Sequence, residues 1–158
     1  MDQLSSSANK VQEFLTSLGF DGKVVELPGS TRTAFEAANA IGCDVAQIVK
    51  SLVFMSADTK KPVLVVASGR NRVNEERIGA YIGEPIKKAS AEFVRQKTGY
   101  GIGGVPPVGH ANHIVTFIDE DLLGHQEIWA AAGTPHAVFP LTPSNLVEFT
   151  GGRVVSII

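Results

Sequence analysis

Apolar residues recur at helical spacing near the start of the chain. The residues at positions i, i+3, i+4 and i+7 of this run are Val11, Phe14, Leu15 and Leu18. Serines precede the run, and Gly19 follows its last apolar position, where a helix typically ends. The pattern predicts an amphipathic first helix with one apolar face.

Short apolar runs, many of them rich in β-branched residues, follow along the rest of the chain. Such runs predict strands where turn residues bound them. The predicted strands cover residues 23–27, 52–55, 63–67, 114–118, 128–132, 137–139 and 153–157. Residues 58–62, between the second and third of these runs, predict a hairpin connection.

Helix signals lie between the predicted strands. The predicted helices cover residues 33–40, a short segment capped by Asp44 that carries Val45, Ile48 and Val49, the run Ile78, Tyr81 and Ile82, residues 90–98, and a last helix with Thr142 as N-cap and Pro143 at N1. Lys50 is predicted to lie where the short helix capped by Asp44 gives way to the strand at 52–55. Because helices and strands mix without strict βαβ alternation, we expect an α+β (mixed α/β) fold. We expect a single domain over residues 1–158, with a mixed, largely antiparallel sheet flanked by helices.

Composition and charge exclude several classes of protein. The 158 residues carry 14 Lys and Arg against 16 Asp and Glu, a net charge of −2, so the basic surface of a protein that wraps nucleic acid is absent. We expect no DNA partner and only local contact with any RNA. No apolar run approaches the roughly 20 residues of a membrane helix, and we expect no membrane partner. Cys43 is the only cysteine and the first residues lack signal-peptide features, which predicts a cytoplasmic protein.

Residues 101–110, with the sequence GIGGVPPVGH, predict a shaped loop. Four glycines and two adjacent prolines in ten residues suit neither a helix nor an interior strand. Glycines let the main chain approach a ligand with no Cβ in the way, and Pro106 and Pro107 fix the path of the chain. We expect this loop to form a pocket wall made of main-chain atoms.

Three other kinds of site are disfavoured. Residues 99–104 match G-x-G-x-x-G, but they follow a predicted helix and run into prolines, whereas a dinucleotide site needs a strand before the motif and a helix after it. His110 and His113 lie three residues apart with no paired cysteines, so we expect no metal. Cys43 has no histidine near it in the sequence and there is no G-x-S-x-G motif, which leaves covalent catalysis unsupported. We expect no cofactor.

Lys50 is the strongest single candidate for chemistry. A lone lysine is most often a solvated surface charge, but apolar residues surround this one, so packed main chain would hold its ammonium in place. A positioned cation beside main-chain donors suits a phosphate or a developing oxyanion. Thr31, Arg32 and Thr33 form a second polar cluster, which fits a turn and helix cap as well as it fits a ligand contact.

These segments resemble the YbaK/ProX family of aminoacyl-tRNA deacylases. The resemblance spans nearly the whole chain, and the matching segments occur in the same order as in the family. It rests on the segments KSLVF at 50–54, TAFEAA at 33–38, GGVPPVGH at 103–110 and AAAGTPH at 130–136. It implies a mixed α/β fold and a free-standing enzyme homologous to the editing domain of bacterial prolyl-tRNA synthetases. Its pocket would receive the aminoacylated 3′-terminal adenosine.

The resemblance also implies roles for particular residues. Lys50 would hold the terminal phosphate or the polar head of the substrate, and the main chain of Gly103 and Gly104 would line the reacting ester, so these three are the predicted catalytic residues. The predicted substrate-binding residues are Thr31, Thr33, Ser51, Pro107, Gly109, His110, Gly133, Thr134 and His136.

The chemistry implied is hydrolysis of an ester that is already activated. Oriented water and oxyanion stabilisation suffice, with assistance from the neighbouring ribose hydroxyl, so neither metal nor covalent intermediate is needed. The substrate would be tRNA, predicted to be tRNA-Pro, carrying a small amino acid such as alanine, cysteine or serine. Several alanine-specific relatives carry Asn where this chain has Ser51, so the amino acid stays open.

Two alternatives remain, and so does the question of a partner. The first is a non-catalytic module that binds a nucleotide or an RNA end through the same pocket. The second is a regulatory, synthetase-associated domain. Whether prolyl-tRNA synthetase is a partner is also open. Scattered basic residues, namely Lys87, Lys88, Arg95 and Lys97, predict that only the acceptor end of a tRNA is held.

Overall fold

Five α-helices are present in the computed structural model, which describes residues 4–158. They are α1 (Ser6–Ser17), α2 (Ala34–Ile41), α3 (Glu75–Ile82), α4 (Ala91–Thr98) and α5 (Pro143–Thr150). Short 3₁₀ helices lie at Val45–Gln47 and Glu120–Gly124. Each α-helix begins after a Ser, Thr or Asn whose side chain accepts a hydrogen bond from a main-chain N–H of the first turn. Helices α2 to α5 each end at a glycine in the left-handed conformation.

The strands form one sheet. They are β1 (Val25–Glu26), β2 (Ile48–Ser56), β3 (Pro62–Ser68), β4 (Ile86–Lys88), β5 (Val115–Asp119), β6 (Ile128–Ala131), β7 (Ala137–Leu141) and β8 (Arg153–Val155). The order across the sheet is β1-β7-β6-β2-β3-β5-β8, and β4 pairs with β2 outside this path. The pairs β2–β3, β2–β4, β6–β7 and β1–β7 are antiparallel, and β2–β6, β3–β5 and β5–β8 are parallel. The predicted mixed, largely antiparallel sheet flanked by helices is confirmed.

Strand β3 divides the core into two layers. Leu64 and Val66 lie in a large cluster with residues of α1, α4, α5 and the glycine- and proline-rich loop. Val63, Val65 and Ala67 point to the opposite face, where α3 covers them. All five are almost completely buried, as expected of a central strand that is covered on both faces.

The predicted first helix is present, but its buried face is narrower than its apolar pattern. Val11 and Leu15 are buried, whereas Phe14 and Leu18 are 38% and 41% exposed. Within residues 4–158 no helix is long and apolar enough to span a membrane.

The predicted short helix capped by Asp44 is wrong beyond its first turn. Asp44 does cap a helical turn, but that turn ends at Gln47, and Ile48 and Val49 begin β2. These two residues pair with Trp129 and Ala130 of β6, and sheet pairing over a long sequence distance overrides their apolar helical spacing. Lys50 is therefore the third residue of a strand and not a helix–strand junction. Strand β4, of three residues, was not predicted.

Candidate active site

A gap in the sheet lies along one edge of β2. Strand β3 pairs with residues 49–55 of β2 on one side. On the other side β6 reaches only as far as Val49, and β4 begins to pair at Phe54. Lys50 to Val53 have no strand partner on this side within the described part of the chain. A cavity of about 580 Å³ opens at this gap, and β2, the start of α2, the loop after β3 and β6 all contribute to its walls.

Ser51 presents its main chain to this gap. The amide of Gly69 donates to the Ile48 carbonyl at 2.7 Å, so residues of β2 with even numbers direct their polar groups toward β3. The amide of Ala57 donates instead to Pro85, beside β4, at 2.8 Å. By this alternation the N–H and C=O of Ser51 face the cavity.

Two buried hydroxyl groups also belong to the walls. Thr31 and Ser51 both line the cavity, and neither hydroxyl oxygen has a hydrogen-bond partner among residues 4–158. An unpaired buried hydroxyl is costly, on the order of 1–3 kcal/mol. Such groups are suited to pair with a ligand.

Lys50 is held at the gap by the main chain of the loop after β3. Its Nζ donates a hydrogen bond of 2.7 Å to the carbonyl oxygen of Asn71. Burial lowers the pKa of Lys50 from its ordinary value, and the negative charge of Asp119 opposes that shift. One of the three ammonium donors is thus used, which leaves the others for a ligand.

The cavity walls are basic although the whole chain is slightly acidic. Arg32, Arg72 and Lys88 line the cavity together with Lys50, and Glu75 is the acidic residue among its walls. Within the described residues the ion pair found is Arg70–Asp44, so the three additional cations have no carboxylate partner there. A local concentration of positive charge favours an anionic ligand.

Gly103 is a wall residue whose missing side chain makes room for Arg32. Its φ is +92°, and a Cβ built on it would lie 2.9 Å from Cγ of Arg32. The stem of Arg32 therefore crosses the main chain of Gly103. This part of the glycine-rich loop lines the cavity.

Gly104, Gly133 and Thr134 lie behind the wall and not in it. The amide of Gly133 donates to the Gly104 carbonyl at 2.8 Å, and a Cβ on Gly104 would come within 2.8 Å of the main chain of Thr134. A Cβ on Gly133 would lie 2.7 Å from the carbonyl oxygen of Ser7. These residues join three segments by close main-chain packing, which is a structural use of glycine.

Thr33 and His136 hold other parts of the wall. Thr33 lines the cavity, but its hydroxyl caps α2 by accepting from the amide of Glu36 at 3.1 Å. His136 is exposed outside the cavity, and its Nδ1 lies 3.1 Å from the Gly29 carbonyl. Its neighbour Pro135 accepts a hydrogen bond from the amide of Thr31 at 2.5 Å. His136 therefore belongs to the support of the segment that carries Thr31.

Pro107, Gly109 and His110 line a different concavity. This second space, of about 260 Å³, lies between the latter part of the glycine-rich loop, Phe14 and Phe149. The ring Nε2 of His110 lies 2.6 Å from the Pro106 carbonyl, and burial lowers the pKa of the ring while this hydrogen bond opposes the shift. The structure does not bring these three predicted residues to the cavity.

His113 lines the same concavity as His110. Across residues 4–158, no group of three or more His, Cys, Asp or Glu side chains is placed to hold a metal ion.

Sequence reasoning missed several residues of the site. Arg72 and Trp129 line the cavity, and Asn71 holds Lys50. Lys88 also lines the cavity, and it was predicted only as one of four scattered basic residues. A signal for Asn71 and Arg72 was present, because the predicted hairpin brings the segment after β3 close to Lys50, and that segment reads SGRNR. Nothing local marks Trp129, which reaches the site through the parallel pairing of β6 with β2.

A family model described as the aminoacyl-tRNA editing domain matches residues 29–149. The matched range contains every residue placed above in the cavity wall. This chain belongs to that family. The family predicted from the sequence motifs is confirmed.

Relatives of this family member include proteins of similar length and parts of much longer ones. A protein called YwhH from Bacillus subtilis is 30% identical over 148 residues, which cover 94% of each chain. A proline–tRNA ligase from Limosilactobacillus fermentum is 34% identical over 101 residues, covering 61% of this chain and 18% of the ligase. A solved structure described as "a putative trans-editing enzyme for prolyl tRNA synthetase" has 50% identity and a TM-score of 0.93, with 98% of each chain covered.

Proposed function

We propose that this member of the editing-domain family hydrolyses the ester between a small amino acid and the 3′-terminal ribose of mischarged tRNA, with tRNA-Pro as the substrate class. The observation that carries the proposal is the Lys50 ammonium, anchored on a main-chain carbonyl at an unpaired strand edge inside a basic cavity. The ligase and the trans-editing enzyme among its relatives support the choice of tRNA-Pro.

The cavity suits a nucleoside ester in size. A volume of about 580 Å³ falls within the range of roughly 300–1,000 Å³ common for small-molecule sites. Arg32, Arg72 and Lys88 would bind phosphates of the 3′-terminal nucleotides, since arginine pairs with phosphate through two donors at once. Only the acceptor end needs to be held in such an arrangement.

Catalysis would rest on positioning and charge. The free donors of Lys50 and the N–H of Ser51 would hold the terminal phosphate or stabilise the oxyanion that forms when water attacks the ester carbonyl. The neighbouring ribose hydroxyl would assist, because in aminoacyl-tRNA it lies on the sugar carbon next to the one that carries the ester.

Cys43 fits poorly as a protein nucleophile. It is absent from the cavity wall formed by the described residues. Burial and the charge of Asp44 raise the pKa of its thiol, which favours the unreactive protonated form. This supports direct attack by water.

The amino acid would be selected by size. The wall near Lys50 includes the apolar residues Ala37, Ile48, Val49 and Ala130. An apolar pocket discriminates by one methylene group only about ten- to two-hundred-fold, so exclusion of larger side chains would provide most of the selectivity. Alanine, cysteine and serine are the amino acids we propose.

The decisive experiment is release of free amino acid from a panel of mischarged tRNAs, with Lys50→Ala as the paired variant. We expect turnover of tRNA-Pro carrying a small amino acid, and turnover of a short acceptor-stem mimic at a similar rate. Retention of tRNA on a filter without turnover by the parent protein would overturn the proposal in favour of an RNA-end-binding module.

A further inference from the structure

The loop that holds Lys50 is itself fixed by a buried carboxylate. Asn71 offers its main-chain carbonyl to Lys50, and its side-chain Nδ2 donates to Oδ2 of Asp119 at 2.9 Å. The same nitrogen also donates to Oδ2 of Asp121 at 2.7 Å. One residue thus links the ammonium of Lys50 to acidic groups at the end of β5.

Asp119 is 1% exposed and its hydrogen bonds come from neutral groups. The amide of Ser68, at the end of β3, donates to its Oδ2 at 3.0 Å, and the amide of Asp121 donates to its Oδ1 at 2.9 Å. No cationic side chain of residues 4–158 forms an ion pair with it. A carboxylate buried without a cation is costly even when it is hydrogen-bonded, which points to a function for its charge.

We propose that Asn71 and Asp119 are positioning residues for Lys50. The Asp119 carboxylate fixes the end of β3 and the Asn71 side chain, and the Asn71 carbonyl then fixes the ammonium at the gap in the sheet. This inference rests on the proposed function for its kinetic test, but the arrangement of Lys50 can be tested without any substrate.

The register of the sheet explains why these groups meet. Lys50 pairs with Ala67 across the β2–β3 hairpin, and Val66 pairs with Ile118 of β5. The ends of β3 and β5 therefore lie side by side next to Lys50. A residue at the end of β5 can in this way control a side chain of β2, two strands away.

The charged groups around Lys50 come from several elements. Asp119 and Asp121 lie beyond Asn71, whereas Arg32, Arg72, Lys88 and Glu75 line the cavity. Asp119 is the buried member of this set, and its charge favours the protonated form of Lys50. Removing that charge should therefore move the titration of Lys50 to lower pH.

The kinetic test is Asn71→Ala, which removes the side-chain link and leaves the buried carboxylate in place. We expect kcat to fall about ten-fold or more with KM within about two-fold, since small displacements of a catalytic group are costly. The matched control is Asn74→Ala, the same replacement three residues later. Asn74 caps α3 through the amide of Arg77 and does not line the cavity. Its loss should lower Tm and leave kcat unchanged.

The second test measures Lys50 directly. The protein is trace-labelled with an amine-reactive anhydride across a pH series. Mass spectrometry then quantifies the Lys50 peptide against the peptide of exposed Lys23, which reports the titration of each amine. We expect the Lys50 profile of Asp119→Asn to move to lower pH relative to the parent, with Lys23 unchanged. If Asp119→Asn does not fold, the labelling of Asn71→Ala carries the test, and we expect faster labelling of a less restrained amine.

The outcomes separate the two proposals. If the parent protein hydrolyses no mischarged tRNA but the variants show the expected labelling shifts, the proposed function is overturned and the positioning role is supported. An active parent whose Asn71→Ala variant keeps both kcat and the Lys50 labelling rate would overturn the positioning role alone.

Discussion

The cavity beside β2 and the smaller concavity share one loop and differ in the groups that line them. The cavity at the gap beside β2 receives the first half of the glycine-rich loop, including Gly103, and is lined by cations that form no ion pair within residues 4–158. The smaller concavity receives the second half, including Gly109, which packs against the ring of Phe14. There the ring of His110 is already bonded to the main chain. A motif that is continuous in sequence thus serves a ligand site with one end and packing with the other.

The larger cavity differs from the smaller concavity in its polar groups that have no partner among the described residues. The larger cavity combines an unpaired strand edge, two buried hydroxyls without partners and cations without carboxylates. The buried hydroxyls cost free energy unless a ligand satisfies them, whereas Arg32, Arg72 and Lys88 are exposed and free to bind an anion. Substitutions in the cavity should therefore change activity more than stability, and substitutions in the smaller concavity should do the opposite.

The largest effect is expected for Lys50→Ala. Removal of the anchored ammonium should lower kcat/KM by about 100-fold or more, the magnitude typical of losing a group that stabilises an oxyanion. The free energy of unfolding should change little, because the side chain is half-buried and the strand pairing stays intact. Deacylation rates and thermal unfolding of the two proteins provide the check. Activity within a factor of two of the parent would remove Lys50 from the site.

The next effect concerns the cations of the wall. Arg72→Ala and Arg32→Ala should each raise KM about ten-fold, because a hydrogen bond to a charged group contributes about 1.5–3 kcal/mol. The slope of log(kcat/KM) against log[salt] should become shallower by about 0.7 for each phosphate that the variant no longer neutralises. Arg70→Ala is the matched control, since Arg70 is paired with Asp44 and lies outside the cavity. A KM increase as large for Arg70→Ala would indicate a general effect of net charge.

Two glycines of the shared loop, one in each concavity, give a sharper contrast between the effects on activity and on stability. Gly103 and Gly109 have φ of +92° and +79°, so an alanine at either position should cost about 1 kcal/mol or more of the free energy of unfolding. Gly103→Ala also places a Cβ against the stem of Arg32 and should lower kcat/KM several-fold. Gly109→Ala should leave kcat/KM nearly unchanged. Chemical denaturation and kinetics of both variants test this, and equal decreases in activity would contradict the division of the loop.

Local signals predicted the helices well and the site only in part. Caps at Thr33, Ser90 and Thr142 and the glycines that end the helices are short-range features, and the structure contains them. The hairpin at 58–62 could have given the register that places Lys50 opposite Ala67. From there, the loop with Asn71 follows directly.

The parts of the fold and of the site that were not predicted depend on strand pairing across long sequence distances. Strand β6 pairs with β2 in parallel over only two residue pairs, and this short pairing both replaces the helix predicted after Asp44 and defines the gap. Parallel pairs are joined by long crossovers and leave no turn signal in the sequence. Likewise, nothing in GGVPPVGH marks where the loop turns from the cavity to the smaller concavity.

The smallest effect is expected at His110, where it should appear only in stability. Burial lowers the pKa of His110 from its ordinary value of 6.5, so the unfolded chain binds a proton at a higher pH than the folded protein. The stability associated with the neutral ring is therefore fully present above about pH 6.5 and is lost as the pH falls toward the folded pKa. In His110→Gln the free energy of unfolding should depend less on pH between about 7.5 and 5 than in the parent, and kcat/KM at about pH 7.5 should stay within about two-fold. Parallel stability profiles would mean that the ring is protonated equally in both states. A decrease in kcat/KM with unchanged stability would instead place His110 in the reaction and undo the contrast between the two concavities.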